Sequence, residues 1–158
     1  MLLSDFKCKH VIGSGGFGKV YLAKLESANQ LFAIKNIRKD RLADKNELMK
    51  AAFIEYQVMF ETKHPFLCNM EYFFQTNERF YFVMPLIKAG DLHRMLQEES
   101  RFSEERVKFY AGQIVVALGY LHDNNIMHRD LKLENMMVDG DGYLKLIDFG
   151  LSKKIRPG

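Results

Sequence analysis

Short runs of β-branched and aromatic residues predict five strands in the first half of the chain. These runs cover residues 6–12, 20–23, 31–37, 70–75 and 80–86, and the alternation of apolar and polar positions is clearest in residues 31–37. Between the third and fourth runs, a charged stretch over residues 44–63 has apolar positions near helical spacing. Pro65 ends this helix, because the residue before a proline is disfavoured in helical geometry. A sheet with one main helix is therefore expected.

The apolar pattern changes to a helical period after Gly90. Residues 92–98 predict a short helix, and Ser103 is a plausible N-cap for a longer one that ends near residues 123–125. Residues 136–138 and 143–146 flank Asp139-Gly140-Asp141-Gly142, which predicts a hairpin. The chain is therefore expected to be α+β, with one domain over residues 1–87 and a second over residues 88–158.

Composition indicates a globular protein and limits its partners. Of the 158 residues, 47% are apolar and 27% charged. The net charge is only +3 and both signs are interspersed, which favours an ordinary solvated surface over nucleic-acid binding. Cys8 and Cys68 lack metal-ligand spacing and suit free thiols in a reducing compartment. No stretch resembles a signal peptide or reaches the about 18 apolar residues of a membrane span, so a cytoplasmic location is expected.

A glycine-rich segment lies between the first two predicted strands. Its sequence, Gly13-Ser14-Gly15-Gly16-Phe17-Gly18, suits a plain turn, a dinucleotide-binding turn or a phosphate-binding hairpin loop. A dinucleotide-binding turn opens a helix and has an acidic residue about twenty positions further on. Residues 19–23 are instead β-prone, and no acidic residue is so placed. The hairpin loop is favoured, because its backbone N–H groups are open to phosphates.

Three further groups of polar residues suggest chemistry. Lys35 lies in an apolar strand and needs a charged partner, for which Glu55 on the following helix is a candidate; the alternative is a lysine on the solvent face. Residues 128–135 form a dense polar segment, for which a solvated loop is the alternative. Asp148 ends a predicted strand and precedes Phe149 and Gly150.

Taken together, these motifs resemble those of a eukaryotic-type protein kinase. The segment from Gly13 to Val20 is similar to the glycine-rich loop of that family, and Ala33-Ile34-Lys35 to its strand lysine. His128-Arg129-Asp130-Leu131-Lys132-x-x-Asn135 resembles the catalytic loop, and Asp148-Phe149-Gly150 the metal-binding motif. The resemblance covers residues 6–154 and implies a five-stranded antiparallel N-lobe with one main helix, followed by a truncated, mainly helical C-lobe.

The resemblance also implies a role for each matching residue. Lys35 would hold the α- and β-phosphates of ATP, with Glu55 as its anchor. Asn135 and Asp148 would hold Mg²⁺, and Asp130 would accept the proton of the substrate hydroxyl. Lys132 would steady the γ-phosphoryl group and is typical of the serine/threonine branch. Phe149 is expected to pack under the helix that carries Glu55, near Met59 and His128.

The nucleotide contacts implied by the family extend along the first half of the chain. Met84 corresponds to the gatekeeper, and Pro85 lies in the hinge where only a carbonyl is needed, so its missing N–H is tolerable. Val20, Ala33 and Met137 would enclose adenine, although ordinary core packing also explains them. The residues expected at the nucleotide are Ile12, Gly13, Ser14, Gly15, Gly16, Phe17, Gly18, Lys19, Val20, Ala33, Lys35, Met84, Pro85, Ile87, Asp91 and Met137.

Finer similarity, including residues 64–84 and 101–122, is to the group of cyclic-nucleotide-dependent and lipid-dependent kinases. Kinases of that group often prefer substrates with basic residues before the acceptor. Asp91 and Glu134 are acidic and could bind such residues, so a basic substrate context is a hypothesis. The alternative is that both are ordinary surface acids. Leu133, Ala89 and Pro85 depart from the common pattern without removing a catalytic group.

The family's domain extends beyond residue 158, through the activation segment and further helices. Without them, Ile114, Val115 and Leu118 are expected to be exposed. Two functions therefore stay open. One is a serine/threonine kinase that uses ATP and Mg²⁺ on a protein substrate, and the other is a truncated, catalytically incompetent fragment that binds ATP or a partner. A nicotinamide-dependent oxidoreductase is disfavoured by the strand that follows the glycines.

Overall fold

A computed structural model describes residues 2–15, 18–40 and 46–155. By their contacts these residues form two compact units. The first contains the described residues up to Phe53 together with Met70–Leu86, and the second contains Ile54–Asn69 together with the described residues from Ile87 onward. Residues 54–69 thus group with the second unit, and the domain division near residue 87 stays a prediction.

A five-stranded antiparallel sheet forms the first unit. Its strands are β1 (Phe6–Gly15), β2 (Gly18–Leu25), β3 (Gln30–Arg38), β4 (Tyr72–Gln75) and β5 (Arg79–Pro85), in the order β1-β2-β3-β5-β4. Each strand overlaps one of the five predicted runs. Asn29, between β2 and β3, adopts a left-handed conformation with φ 53°, which asparagine tolerates better than most residues. The antiparallel five-stranded sheet expected from the sequence is confirmed.

One face of this sheet carries an apolar core. Alternate residues of the paired strands point to the same side, so the buried positions align across strands. The Phe6 ring meets the Phe32 ring edge-on, with 5.5 Å between centroids. The buried cluster contains Phe6, Ala23, Leu25, Phe32, Ile34 and Val83. The residues that alternate with these along the strands point to the opposite face of the sheet.

The main helix, α1 (Asn46–Glu61), follows the third strand as predicted. Its predicted start at residue 44 lies outside the described residues. Ala52, Val58 and Met59 are buried, in agreement with their helical spacing, whereas Phe53, which the same spacing included, is 58% exposed. The helix ends one residue before Thr62, whose N–H and hydroxyl both donate to the Val58 carbonyl, at 2.9 and 2.6 Å.

Two helices dominate the second unit after residue 90. They are α2 (Leu92–Glu99) and α3 (Glu104–Asp123), both close to their predicted ranges. Ser103 is the N-cap of α3, because its Oγ accepts from the Arg106 N–H at 3.3 Å. Gln113 lies on the buried side of α3, and its Oε1 accepts from the Leu144 N–H at 2.7 Å. This hydrogen bond attaches α3 to the predicted hairpin over residues 136–146.

Small sheets complete the second unit. The predicted hairpin is present as β8 (Met136–Val138) and β9 (Leu144–Leu146), while β6 (Gly90–Asp91) pairs with β8. The strands β7 (Ile126–Met127) and β10 (Lys153–Lys154) pair with each other. The three two-residue strands were not predicted, because two residues show no periodicity and pairing comes from distant parts of the chain.

Surface exposure follows the predictions only in part. Val115 is 68% exposed and Val116 is 53% exposed, but Ile114 and Leu118 are only half-exposed, contrary to expectation. Cys8 and Cys68 are free thiols, and burial raises the pKa of Cys68 to about 12. Across the described ranges, none of the helices has the length and apolar character needed to cross a membrane.

Candidate active site

The glycine-rich segment is the end of a β-hairpin. Strand β1 pairs antiparallel with β2, so that Gly13 lies opposite Val20, Ser14 opposite Lys19 and Gly15 opposite Gly18. Gly16 and Phe17 lie outside the described residues. Because a strand and not a helix follows Gly18, the dinucleotide-binding alternative fails and the hairpin prediction is confirmed.

Gly18 also allows β2 to approach β3 closely. A Cβ atom at this position would lie 2.1 Å from the carbonyl oxygen of Asn36. At Gly13, a Cβ atom would lie 3.6 Å from the Cβ of Val20, which is an ordinary contact. The two glycines therefore differ: Gly18 is required by packing within the sheet, whereas Gly13 has room for a side chain.

Several predicted nucleotide contacts share one face of the sheet. Lys35 on β3 lies opposite Val20, and Ala33, two residues earlier, lies opposite Met84. Because residues i and i+2 and directly opposed residues point to the same side, these four side chains lie on the face opposite the apolar core. Of the remaining predicted contacts in this unit, Ile12 is 45% exposed beside a register shift in β1, and Pro85 ends β5.

Glu55, the predicted partner of Lys35, is a buried carboxylate on α1, with 2% exposure. A buried carboxylate requires a cation or several hydrogen-bond donors for stability. Glu55 belongs to the second unit and Lys35 to the first, and their pairing stays a prediction.

In the second unit, the segment between β7 and β8 gathers polar groups around Asp130. Lys132 Nζ donates to Asp130 Oδ2 at 2.7 Å, and Asn135 Nδ2 donates to the same oxygen at 2.8 Å. Asn135 Nδ2 also donates to the Asp130 carbonyl at 2.9 Å, which closes the loop. The hydrogen bond from Lys132, supported by the one from Asn135, lowers the pKa of Asp130. The carboxylate is therefore held ionised and oriented.

His128 is buried and contacts the backbone of this loop. Its side chain is 3% exposed, and its Nδ1 accepts from the Asp130 N–H at 3.3 Å. Burial lowers the pKa of His128, so the neutral ring is favoured. The ring also packs edge-on against Phe149, with 5.4 Å between centroids. The contact between Phe149 and His128 was expected from the sequence and is confirmed. The hydrogen bond from the Asp130 N–H to His128 was not predicted, although the position of His128 two residues before Asp130 was an available signal.

Asp148 lies next to the same loop. The N–H of Ile147 donates to the Asn135 carbonyl at 2.9 Å, which brings the backbones before Asp148 and at Asn135 together. Asp148 has a left-handed backbone with φ 61°, and its Oδ1 accepts from the Gly150 N–H at 3.3 Å. Phe149 is fully buried. The left-handed backbone of Asp148 is strained, which is a feature found at functional sites.

The donor groups present here suit Mg²⁺. Asn135 uses Nδ2 for its hydrogen bonds to Asp130, so its Oδ1 could act as a metal ligand, and Asp148 could supply a carboxylate. Within the described ranges, no cluster of three or more His, Cys, Asp or Glu side chains is arranged for a metal. Mg²⁺ needs no such cluster, because it is commonly held by one or two carboxylates together with phosphate oxygens and water.

Asp91, predicted at the ribose, has a second role. It lies opposite Met137 in the pairing of β6 with β8, so these two predicted contacts are neighbours. Its Oδ1 accepts from the Arg94 N–H at 2.9 Å and thereby caps α2. Sequence reasoning missed this cap, although an aspartate before a helical run is a typical N-cap. Ile87 lies between β5 and β6, and Glu134 is exposed.

Comparison with known proteins gives a consistent set of relatives. The family described as "Protein kinase domain" matches residues 6–158. The RAC serine/threonine-protein kinase of Drosophila melanogaster is 43% identical over 152 residues, which are 96% of this chain and 25% of that protein. The serine/threonine-protein kinase sgk-1 of Caenorhabditis elegans is 43% identical over 156 residues, 98% of this chain and 34% of that protein.

A third relative, Protein kinase C-like 1 of Caenorhabditis elegans, is 43% identical over 152 residues, 96% of this chain and 21% of that protein. These relatives belong to the group that the finer sequence similarity indicated. The chain therefore spans between about a fifth and a third of the length of these curated relatives.

Proposed function

Since the chain belongs to the protein kinase domain family, we propose that the protein transfers the γ-phosphoryl group of ATP to a serine or threonine hydroxyl of a protein substrate. The observation that supports this best is the carboxylate of Asp130, which accepts hydrogen bonds from Lys132 and Asn135. The backbone bond between Ile147 and Asn135 places the segment of Asp148 beside it. The names of its relatives as serine/threonine-protein kinases support the choice of acceptor.

Asp130 and Lys132 have complementary roles in the proposed reaction. Because its pKa is lowered, Asp130 is ionised at neutral pH and accepts a hydrogen bond from the substrate hydroxyl, which orients the oxygen for in-line attack. As the bond between the substrate oxygen and the γ-phosphorus forms, the bond between the γ-phosphorus and the β–γ bridging oxygen breaks and ADP leaves. The hydroxyl proton passes to Asp130. Lys132, bonded to the same carboxylate, provides positive charge for the γ-phosphoryl oxygens.

The proposed cofactor is Mg²⁺·ATP, in keeping with the general use of both by the protein kinase family. Asn135 Oδ1 and the Asp148 carboxylate would hold the cation, which neutralises charge on the phosphate oxygens when bound. The hairpin of β1 and β2 offers backbone N–H groups to the phosphates, and Lys35 on the sheet face offers a cation. Val20, Ala33 and Met84 on that face support a role in adenine binding.

The remaining contacts stay proposals of the same kind. They concern Ile87, Asp91 and Met137 at the nucleotide and Glu55 as the anchor of Lys35.

For the protein substrate we propose a basic context before the acceptor, supported by the acidic side chains of Asp91 and Glu134. Peptides with and without an upstream arginine test this preference, and equal rates would contradict it. We also propose a cytoplasmic location.

Transfer of radiolabelled phosphate from ATP to a serine or threonine peptide tests the proposed function directly. We expect Asp130→Asn to lower the rate by about 10²–10⁴-fold, because the amide cannot accept the proton. Asp141→Asn is the matched control, since Asp141 is exposed in the hairpin turn and should leave the rate unchanged. Circular dichroism of both variants verifies that the fold is retained.

The same assay distinguishes the second candidate function. The second candidate is a catalytically incompetent fragment that binds ATP or a partner and transfers no phosphoryl group. Tight Mg²⁺-dependent ATP binding with equal, background labelling by wild type and Asp130→Asn would establish this alternative. Labelling that depends on Asp130 would exclude it.

A further inference from the structure

An ion pair connects two segments of the second unit that are distant in sequence. Lys154 Nζ contacts Glu61 Oε2, although 93 positions separate the two residues. Lys154 lies on β10, shortly after Asp148-Phe149-Gly150, and Glu61 is the last residue of α1. Both side chains are partly exposed, 41% for Lys154 and 44% for Glu61, so neither is required by core packing.

The segment that carries Lys154 is already fixed on one side. Strand β10 pairs with β7, and the Ile155 N–H donates to the Asn125 carbonyl at 2.8 Å. Arg129 Nε donates to the Leu151 carbonyl, also at 2.8 Å. These bonds join residues 151–155 to the stretch that leads into the Asp130 loop. Lys154 adds a connection to a different element, α1.

Glu61 lies where a helix disfavours negative charge. The C-terminal end of a helix carries partial negative charge from its unpaired carbonyls, so a carboxylate there is unfavourable unless a cation is near. The last turn of α1 contains no basic residue of its own. Lys154 supplies that cation from β10 and therefore interacts favourably with both the Glu61 carboxylate and the end of the helix.

We propose that Glu61 and Lys154 are positioning residues that tie the segment following Asp148 to the C-terminal end of α1, the helix that carries Glu55. The tie holds the backbone on the C-terminal side of Asp148 and thereby the direction of its carboxylate. The consequence for Mg²⁺ rests on the proposed function, whereas the tie itself does not. Neither residue contacts the reacting groups.

Amide hydrogen exchange, followed by mass spectrometry, measures the tie without reference to activity. Glu61→Lys and Lys154→Glu each place like charges together, and we expect each to speed exchange of residues 152–155 by about threefold, as for an exposed ion pair. The double variant Glu61→Lys/Lys154→Glu restores opposite charges and should return exchange to the wild-type rate. The difference should shrink at high salt.

The pair Glu104 and Lys108 on α3 provides a matched control. It is also an exposed ion pair, 2.6 Å apart, but both partners lie on one helix. Glu104→Lys and Lys108→Glu should leave exchange of residues 152–155 unchanged. Unchanged exchange in the Glu61 and Lys154 single variants, or a double variant as fast as either single one, would overturn the tie.

The Mg²⁺ concentration for half-maximal ATP binding tests the positioning role. It should rise by about the same factor in each single variant and return to the wild-type value in the double variant and in Lys154→Arg, which keeps the charge. Faster exchange with unchanged Mg²⁺ dependence would overturn the positioning of Asp148. If wild type shows no Mg²⁺-dependent ATP binding, the proposed function fails at that step, and exchange alone decides the tie.

Discussion

At the residue scale, Gly18 is required by packing within the sheet, independently of the phosphate binding that its motif predicts. A Cβ atom there would lie 2.1 Å from the Asn36 carbonyl oxygen, which belongs to the backbone of β3 and cannot rotate away. The neighbouring strand would have to move, and the β2–β3 pairing would be disturbed. Gly13, in the same motif, has no such restriction.

We therefore expect Gly18→Ala to lower the free energy of unfolding by about 1–3 kcal/mol, the range for forcing an extra group into a packed site. Gly13→Ala is the control and should change it by less than about 1 kcal/mol. Urea titration without nucleotide measures both. Equal stability of the two variants would show that the strands adjust to the methyl group.

At the element scale, α2 depends on a residue that sequence similarity assigns to the ribose. Asp91 caps the helix through the Arg94 N–H, and it belongs to β6 beside Met137. A carboxylate at the first turn also interacts favourably with the helix dipole. One side chain thus serves the start of a helix and, in the proposed function, the nucleotide.

Two substitutions separate these roles. Asp91→Ala removes the cap and should lower stability by about 1 kcal/mol, whereas Asp91→Ser keeps a capping oxygen and should cost only a fraction of that. Both variants should bind ATP more weakly if Asp91 contacts the ribose. Thermal unfolding and ATP titration together provide the test. Wild-type affinity in Asp91→Ser would limit Asp91 to capping.

At the scale of the whole molecule, α3 presents apolar residues to solvent. Val115 is 68% exposed and Val116 53% exposed, next to Gly112 and Gly119, whose surroundings are open. Leu121, on the buried side, is fully covered. Contiguous exposed apolar surface promotes association between molecules.

We expect Val115→Glu to reduce concentration-dependent light scattering of the chain without lowering its unfolding temperature, because the position is exposed. Val138→Glu is the contrasting variant: Val138 is 4% exposed on β8, and an unpaired charge there should unfold the second unit. Scattering that is the same for wild type and Val115→Glu would show that this surface does not drive association.

Elements with a clear local pattern, and the motifs within them, were predictable from residue order. The five strands of the main sheet, the β8–β9 hairpin and three helices were predicted, because β-prone runs, turn residues and helical spacing report local structure. The glycine hairpin, the Asp130 loop and Asp148 could be identified from residue order and spacing alone.

Other contacts became known from the fold alone. The short strands β6, β7 and β10, the close approach of Gly18 to the Asn36 carbonyl and the ion pair of Glu61 with Lys154 join positions far apart in the chain. These contacts depend on hydrogen bonds and packing distances between segments that the fold brings together. The local pattern of apolar and polar residues does not specify them.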